Sequence, residues 1–485
     1  MILGPDNLLR TLAAIAYVLA MIATAVHILL RKEEPRSAAL WLFSVLMVPA
    51  VGIALYLAFG VDRVRRKTLL KEAGNLYLRQ EYMAHLPRSK AAYEYPERDE
   101  EEAYPAAEFP AVLERFCERP LLTGNRVKLM LQGDQAYQHM LDAIDRAQSS
   151  VNLQTYIFMA DRVGRQFAEA MIRKARSGVE CRLLYDAVGS IDSLWFLDEL
   201  AHTNVHVHAF TPLNPLKRRW QINLRNHRKL LIVDGKVGFS GGMNVSEKHL
   251  VDHPLLTRVK DYHFMLEGPI VHQMQEWFVE DWYYACGEKL LSGRFFPPLE
   301  WRGDDLARVI TSGPDGDHEA FHQVAFAAIV GARSRLWIVS PYFIPDKAIL
   351  SALRFAAHRG VDIRLLVPQR SDHLVVSLAA RTFYEELLGY GIRIFERKPP
   401  FLHAKAMLVD DDWAVVGSAN MDVRSFRLNF EANLEVRSRS FARALRVAIE
   451  DDIRNAVPIY LPTFRQRSPV VQVAERACAL LNPLL

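Results

Sequence analysis

Cysteine is scarce. Only Cys117, Cys181, Cys286 and Cys478 occur in 485 residues, with no Cys-x-x-Cys pair and no metal-ligand spacing. That excludes a disulfide framework or a zinc module and suits free thiols in a reducing compartment. Glycine and proline number only 24 each, too few for a collagen-like or low-complexity chain. Charge of one sign is also missing: 60 basic against 56 acidic residues leave +4, which gives no broad basic field for a nucleic acid. Half the residues are hydrophobic, which excludes a disordered chain and predicts about three domains' worth of folded protein at ~150 residues each. The mean hydropathy of -0.01 is high for a chain that is 24% charged, so hydrophobicity must be concentrated somewhere.

It is concentrated at the N-terminus. From Thr11 to Leu30 and again from Ser37 to Val61 no residue is charged when His27 is neutral. Each run approaches the ~20 residues that an α-helix needs to cross a membrane. Arg31-Lys32-Glu33-Glu34-Pro35-Arg36 between them predicts a tight hairpin. A signal peptide cleaved near Ala23-Thr24-Ala25 is the alternative, but the apolar run continues past it and a second follows at once. With both ends of a hairpin on one side, Arg10, Arg63, Arg65, Arg66, Lys67 and Lys71 oppose three basic residues in the turn. The positive-inside bias then places the remainder of the chain in the cytoplasm, as a multi-pass membrane protein.

The expected organisation is two transmembrane helices in 1–61 (about 11–30 and 37–61), then a basic juxtamembrane segment and acidic polar connector in 62–119. Two similar α/β lobes follow, 120–300 and 301–485, the second ending in an amphipathic tail. The lobes are inferred from self-similarity. Val151–Phe158 and Arg335–Phe343 are strand-like runs in the same context, and Ser177-Gly178-Val179 matches Arg359-Gly360-Val361 before a second strand. Alternating strands and helices predict a largely parallel, helix-covered sheet in each lobe.

Each lobe carries the same chemical pattern. His227-Arg228-Lys229 leads to Asp234 and then Gly241-Gly242-Met243-Asn244. His403-Ala404-Lys405 leads to Asp410 and then Gly417-Ser418-Ala419-Asn420. His403 and Asn420 each lie 176 residues beyond their counterparts. One such His, Lys and Asp spacing arises by chance at roughly one position in ten thousand, so two in frame are not accidental. Residues two apart on a strand share a face, so each His projects with its Lys. Asp234 and Asp410 have the opposite parity and begin turns, which predicts a supporting role within the motif. The closing loops offer backbone N–H groups together with Asn244, Ser418 and Asn420 to a phosphate. Two imidazoles and two ammonium groups, without a metal cluster or cofactor motif, predict metal-free phosphoryl transfer. One His attacks phosphorus, the other moves the proton, and the lysines neutralise the oxygens. Asp261, 34 residues after His227, and Glu431, 28 after His403, are the candidates to orient the imidazoles.

These residues resemble the phospholipase D superfamily, whose defining motif is the duplicated His-x-Lys-x4-Asp. The N-terminal spans, the connector and Ser340-Pro341-Tyr342-Phe343-Ile344-Pro345 make the chain look like the bacterial cardiolipin synthases within it. Gly242 in place of the second lobe's Ser418 is a departure that removes a hydroxyl donor. The resemblance implies two similar phospholipase D-like lobes with mixed or parallel sheets, sharing one active site. It implies that His227 attacks one phosphatidylglycerol to give a phosphatidyl-histidine while His403 protonates departing glycerol. His403 then deprotonates a hydroxyl of a second phosphatidylglycerol. Expected partners are phosphatidylglycerol, other anionic phospholipids and the bilayer, and a homo-oligomer stays open; no cofactor and no nucleic acid are expected. Basic stretches before each motif, Leu216–Trp220 and Arg397–Leu402, suit the headgroup level, as does the tail Val470–Leu485. A phospholipase D, a phosphatidyltransferase with another alcohol acceptor and a membrane-anchored nuclease remain as alternatives.

Overall fold

The computed structural model describes residues 5–32, 35–60, 119–212, 225–298, 300–314 and 320–480, with isolated residues between 71 and 117. The connector and the basic stretch Leu216–Trp220 therefore lie largely or wholly outside the described residues. The chain divides into two units, Met1–Lys67 and Thr68–Leu485.

In the first unit, α1 (Pro5–Arg31) contains one apolar helical stretch long enough to span a membrane, Arg10–Arg31, with mean hydropathy 2.3. The second apolar run behaves differently from the expected single span. It forms α2 (Pro35–Met47) and α3 (Pro49–Leu55), followed by a π-helical turn, Tyr56–Gly60. Pro49 has no N–H to continue the helix and forces Val48 out of helical geometry (φ −134°, ψ 69°). At 1.5 Å per residue α2 reaches only about 20 Å. Ile28, Val45 and Tyr56 pack together, and His27 Nδ1 lies 2.7 Å from the Tyr56 hydroxyl. Outward residues such as Leu19, Leu29, Leu40 and Phe43 are exposed, which in water alone would be costly.

The second unit is built on one sheet. Its strands are β1 (Leu122–Met130), β2 (Ser150–Thr155), β3 (Glu180–Tyr185), β4 (His206–Ala209), β5 (Leu230–Val233), β6 (Val237–Gly241) and β7 (His263–Glu267). The second lobe adds β8 (Asp305–Ser312), β9 (Arg335–Val339), β10 (Asp362–Pro368), β11 (Arg393–Arg397), β12 (Ala406–Val409), β13 (Trp413–Gly417), β14 (Asn429–Arg437) and β15 (Ala456–Ile459). Among the described residues the order is β15-β11-β10-β9-β12-β13-β14-β8-β1-β7-β6-β5-β2-β3-β4, sixteen strands when the short Arg225–Asn226 segment on β14 is counted. The order runs the same way outward from the antiparallel β1–β8 junction, so the duplication read in the sequence is a two-fold repeat in space. Leu122 pairs with Ala307 and Asn125 with Asp305 there.

The sheet is mixed, as the mixed or parallel α/β lobes implied by the resemblance allow, with fewer parallel pairs than helix alternation alone suggests. Among the long strands of the described residues, β2-β3-β4 and β9-β10-β11 are the parallel runs. The hairpins β5–β6 and β12–β13 insert antiparallel beside them, because each motif strand turns back at once at Asp234 or Asp410. Helices cover the parallel parts. In α4 (Arg162–Arg176) the Asp161 side chain caps Val163 and Gly164, and in α6 (Lys347–His358) Asp346 caps Ile349. Gly178 and Gly360 leave these helices at φ +91° and +82°, a conformation that suits glycine. Between them lies α5 (Ile270–Cys286). Each lobe has its own core, Phe167, Leu183 and Leu231 in one and Ile349, Leu365 and Met407 in the other. After α7 (Leu374–Arg381) and α8 (Arg439–Arg454), the tail helix α9 (Pro469–Ala479) packs on α7. It ties buried Glu475 to Arg381 and Arg467 and leaves Val470 and Val473 exposed.

Candidate active site

The motif aspartates hold the scaffold. Asp234 sits at φ +54° and accepts the backbone N–H groups of Gln148, Ser149 and Ser150. Asp410, at φ +51°, accepts those of Arg333, Ser334 and Arg335. Each locks the turn of its hairpin to the start of the neighbouring strand, well away from proton transfer. Aspartate tolerates the left-handed region better than most side chains.

The two histidines are brought to carboxylates by an exchange of short strands. Arg225–Asn226 runs beside Asn429–Phe430, and His227 N–H donates to Phe430 O at 2.9 Å. Phe401–Leu402 runs beside Val259–Lys260, and His403 N–H donates to Lys260 O at 2.8 Å. Each histidine therefore meets the carboxylate of the other lobe. His227 Nδ1 lies 2.8 Å from Glu431 Oε2, and His403 Nδ1 lies 2.7 Å from Asp261 Oδ2. Spacing from the nearer motif suggests the opposite pairing. With Nδ1 engaged, Nε2 is the nitrogen that each ring could offer to a substrate.

The two carboxylates are held differently. Glu431 accepts from Ser418 Oγ at 2.6 Å, Ser425 Oγ at 3.1 Å and Asn429 Nδ2 at 3.1 Å. Ser418 also accepts from Ala432 N–H, so its hydroxyl positions Glu431 and is not directed to a phosphate as expected from the sequence. Gly242 stands at the matching place opposite Asp261, where a Cβ would come within 2.0 Å of Asp261 Oδ1. The glycine makes room for the shorter carboxylate, whose Oδ1 takes Tyr262 N–H at 2.8 Å.

Burial sets the protonation states. It pushes His227 down to about 4 against the pull of Glu431, and it lowers His403, with Lys405 adding to the effect. Lys229 is brought down to about 7 and Lys405 to about 8, also by burial. Asp261 and Glu431 end below their ordinary values. Burial opposes their charge, but Lys405 and His403 outweigh it at Asp261, and His227 and Lys229 outweigh it at Glu431. The result is a neutral His227 imidazole on an ionised Glu431 and a His403 ring on an ionised Asp261, with both lysines buried beside them. Lys229 Nζ donates to His227 O at 2.6 Å, and Lys405 Nζ lies 2.8 Å from His403 Nδ1.

Asn244 and Asn420 are buried in the closing loops. Asn244 Oδ1 accepts Ile157 N–H at 3.2 Å, while Asn420 Oδ1 has no hydrogen-bond partner among the described residues. Sequence reasoning missed Tyr156, whose ring lies 5.0 Å from His227 edge-on, and Tyr342, 6.4 Å from His403. Both follow the second strand of their lobe, β2 or β9, so the repeat itself was the available signal. It also missed the network under the first motif. Arg228 makes a bidentate contact with buried Asp281 at 2.8 Å, joined by Lys71 at 3.2 Å and Asn226. Lys71 is therefore buried and unavailable to a lipid headgroup. The stretch before the second motif is corrected likewise. Arg397 turns inward to Asp452, leaving only Lys398 fully exposed.

A paired sheet with crossed His–carboxylate couples defines a phospholipase D-like fold. The model of the family "Cardiolipin synthase, PLD-like domain" matches residues 140–282 and 326–453, and a "Phospholipase_D-nuclease N-terminal" model matches 19–60. The chain belongs to the cardiolipin synthase family. It is 36% identical to cardiolipin synthase A of Pseudomonas putida (strain GB-1) over 465 residues, 96% of each chain. It is 34% identical to the cardiolipin synthase of Geobacillus kaustophilus (strain HTA426), covering 96% of this chain and 92% of that one. The crystal structure of phosphatidylserine synthase from Haemophilus influenzae Rd KW20 shares the fold, with a TM-score of 0.59 at 13% identity over 78% of this chain and all of that one.

Proposed function

We propose that the protein joins two phosphatidylglycerol molecules into cardiolipin and releases glycerol. The observation that carries this reading is the pair of crossed couples, His227–Glu431 and His403–Asp261, in a chain that belongs to the cardiolipin synthase family. Neutral His227 attacks phosphorus through Nε2, and the P–O bond to glycerol breaks as protonated His403, its charge held by Asp261, delivers its Nε2 proton to the departing oxygen. The charge on the phosphoryl oxygens falls to Lys229 and Lys405, with the Asn244 and Asn420 loops behind them. His403, now neutral, takes the proton of a second phosphatidylglycerol's hydroxyl. That oxygen attacks phosphorus, the P–N bond breaks, and His227 is regenerated. One phosphodiester replaces another, so no energy source enters the balance.

The apolar N-terminal unit suits a lipid substrate. We place both apolar segments in the bacterial inner membrane and the Thr68–Leu485 unit on the cytoplasmic side. With Lys71 buried, the count supporting that side falls to Arg10, Arg63, Arg65, Arg66 and Lys67 against three in the turn, still in the same direction. The test is incubation of the purified full-length protein with phosphatidylglycerol as sole lipid. Cardiolipin with an equal amount of glycerol supports the reading, and phosphatidic acid alone contradicts it. A reporter fused after Leu485 should behave as cytoplasmic.

A further inference from the structure

The repeat makes the two histidines equivalent in backbone but not in surroundings. Two residues before each His, and so on the same strand face, stands Arg225 in one lobe and Phe401 in the other. Beside His227, Arg225 hydrogen-bonds Tyr156, with Arg424 nearby. Beside His403 the wall is aromatic. The Phe401 ring lies 5.8 Å from the His403 ring and 6.5 Å from Tyr342, which stands edge-on to His403 at 6.4 Å. The Tyr342 hydroxyl is already committed, donating to Asp372 Oδ1 at 2.6 Å. What faces His403 from these two residues is therefore ring surface rather than a free hydrogen-bonding group.

This bears on a choice that the reaction must make. After the first half, either a lipid hydroxyl or water can give its proton to His403 Nε2 while its oxygen attacks phosphorus and the P–N bond to His227 breaks. Water yields phosphatidic acid, and the lipid alcohol yields the larger diester. We propose that Phe401 and Tyr342 form the acceptor-alcohol subsite, packing the carbon faces of the incoming glycerol group and denying a competing water its hydrogen-bond partners. This deepens the function proposed above and rests on it. A glycerol carbon chain gains contact with the rings, whereas the ring surfaces of Phe401 and Tyr342 offer a water no hydrogen-bonding group. The cationic side at Arg225 and Arg424 has the opposite character, and it adjoins the histidine that carries the phosphatidyl group.

The experiment measures the ratio of phosphatidic acid to cardiolipin made from phosphatidylglycerol alone by the full-length protein in mixed micelles, together with total turnover. Phe401→Ser should raise that ratio roughly tenfold, while Phe401→Leu, which stays apolar, should keep it near the wild-type value. Tyr342→Ala opens the same wall from the other side and should also raise the ratio; Tyr342→Phe, which keeps the ring, should not. A merely structural role predicts that both products fall together at a constant ratio, in either pair of variants, and that result overturns the proposal. Wild-type protein that makes no cardiolipin overturns the function itself. Wild-type cardiolipin synthesis with an unmoved ratio in Phe401→Ser and Tyr342→Ala overturns only the acceptor subsite.

Discussion

His227 Nδ1 lies 2.8 Å from Glu431 Oε2, a carboxylate 204 residues further along the chain. The reciprocal couple, His403 with Asp261, spans 142 residues at 2.7 Å. Neither lobe holds a complete pair, so the active centre exists only when both lobes are folded and joined along β1 and β8.

Removing the charge while keeping the shape tests these couples. Glu431→Gln and Asp261→Asn should each lower kcat by about 10²–10⁴, because the imidazole loses the partner that fixes its tautomer and stabilises its charged form. Ser418→Ala removes one hydrogen bond to a charged group and should cost about tenfold. Lipid turnover by the purified variants measures all three.

The places of Gly242 and Ser418 should not be interchangeable. At Gly242 even a Cβ collides with the Asp261 carboxylate. Gly242→Ala should therefore cost about 10² or more in kcat by displacing Asp261 from His403, whereas Ser418→Gly should cost no more than Ser418→Ala by an order of magnitude. Equal losses in both lobes would show that the two carboxylates need the same surroundings.

Asp234→Ala and Asp410→Ala should act on stability. Each leaves three backbone N–H groups without their acceptor and puts an ordinary side chain at positive φ, for about 2–4 kcal/mol. The melting temperature should fall, while activity per folded molecule changes much less than in Glu431→Gln.

The pH profile of kcat/KM should fall on the alkaline side, first as His403, held below its ordinary 6.5, gives up the proton it must deliver, and further between pH 7 and 8 as Lys229 at about 7 and Lys405 at about 8 lose their charges. Stability should not fall with it. Folding lowers Lys229 from 10.5 to about 7, so between those values the unfolded chain binds more protons and this group's contribution to stability grows with pH. Lys229→Arg should move the alkaline limb upward. On the acid side, activity should persist until His227 is protonated near pH 4.

What was legible in the sequence follows from range. His227 with Lys229, and His403 with Lys405, are two apart on one strand, so strand periodicity alone puts them together. Asp234 and Asp410 were readable as turn residues for the same reason. Asp261 and Glu431 were identifiable as carboxylates, but their partners depend on which edge the two-residue strands Arg225–Asn226 and Phe401–Leu402 join, a tertiary choice with no local signal. Ser418 was misassigned because proximity to Asn420 says nothing of the Glu431 carboxylate. Helix alternation, visible along the chain, suggests parallel strands, whereas the hairpin insertion of β5–β6 and β12–β13 that makes the sheet mixed has no local signal. Pro49 carried the signal for the break at Val48, which hydropathy alone concealed.

The most direct measurement of the account is chemical identification of the intermediate. Full-length protein is mixed with phosphatidylglycerol labelled in the phosphatidyl moiety, quenched in base during the first turnover, digested and mapped. The account predicts a phosphatidyl group on Nε2 of His227, absent in His227→Ala, which should also make no cardiolipin. Label on His403 instead, or cardiolipin formed by His227→Ala, would contradict it.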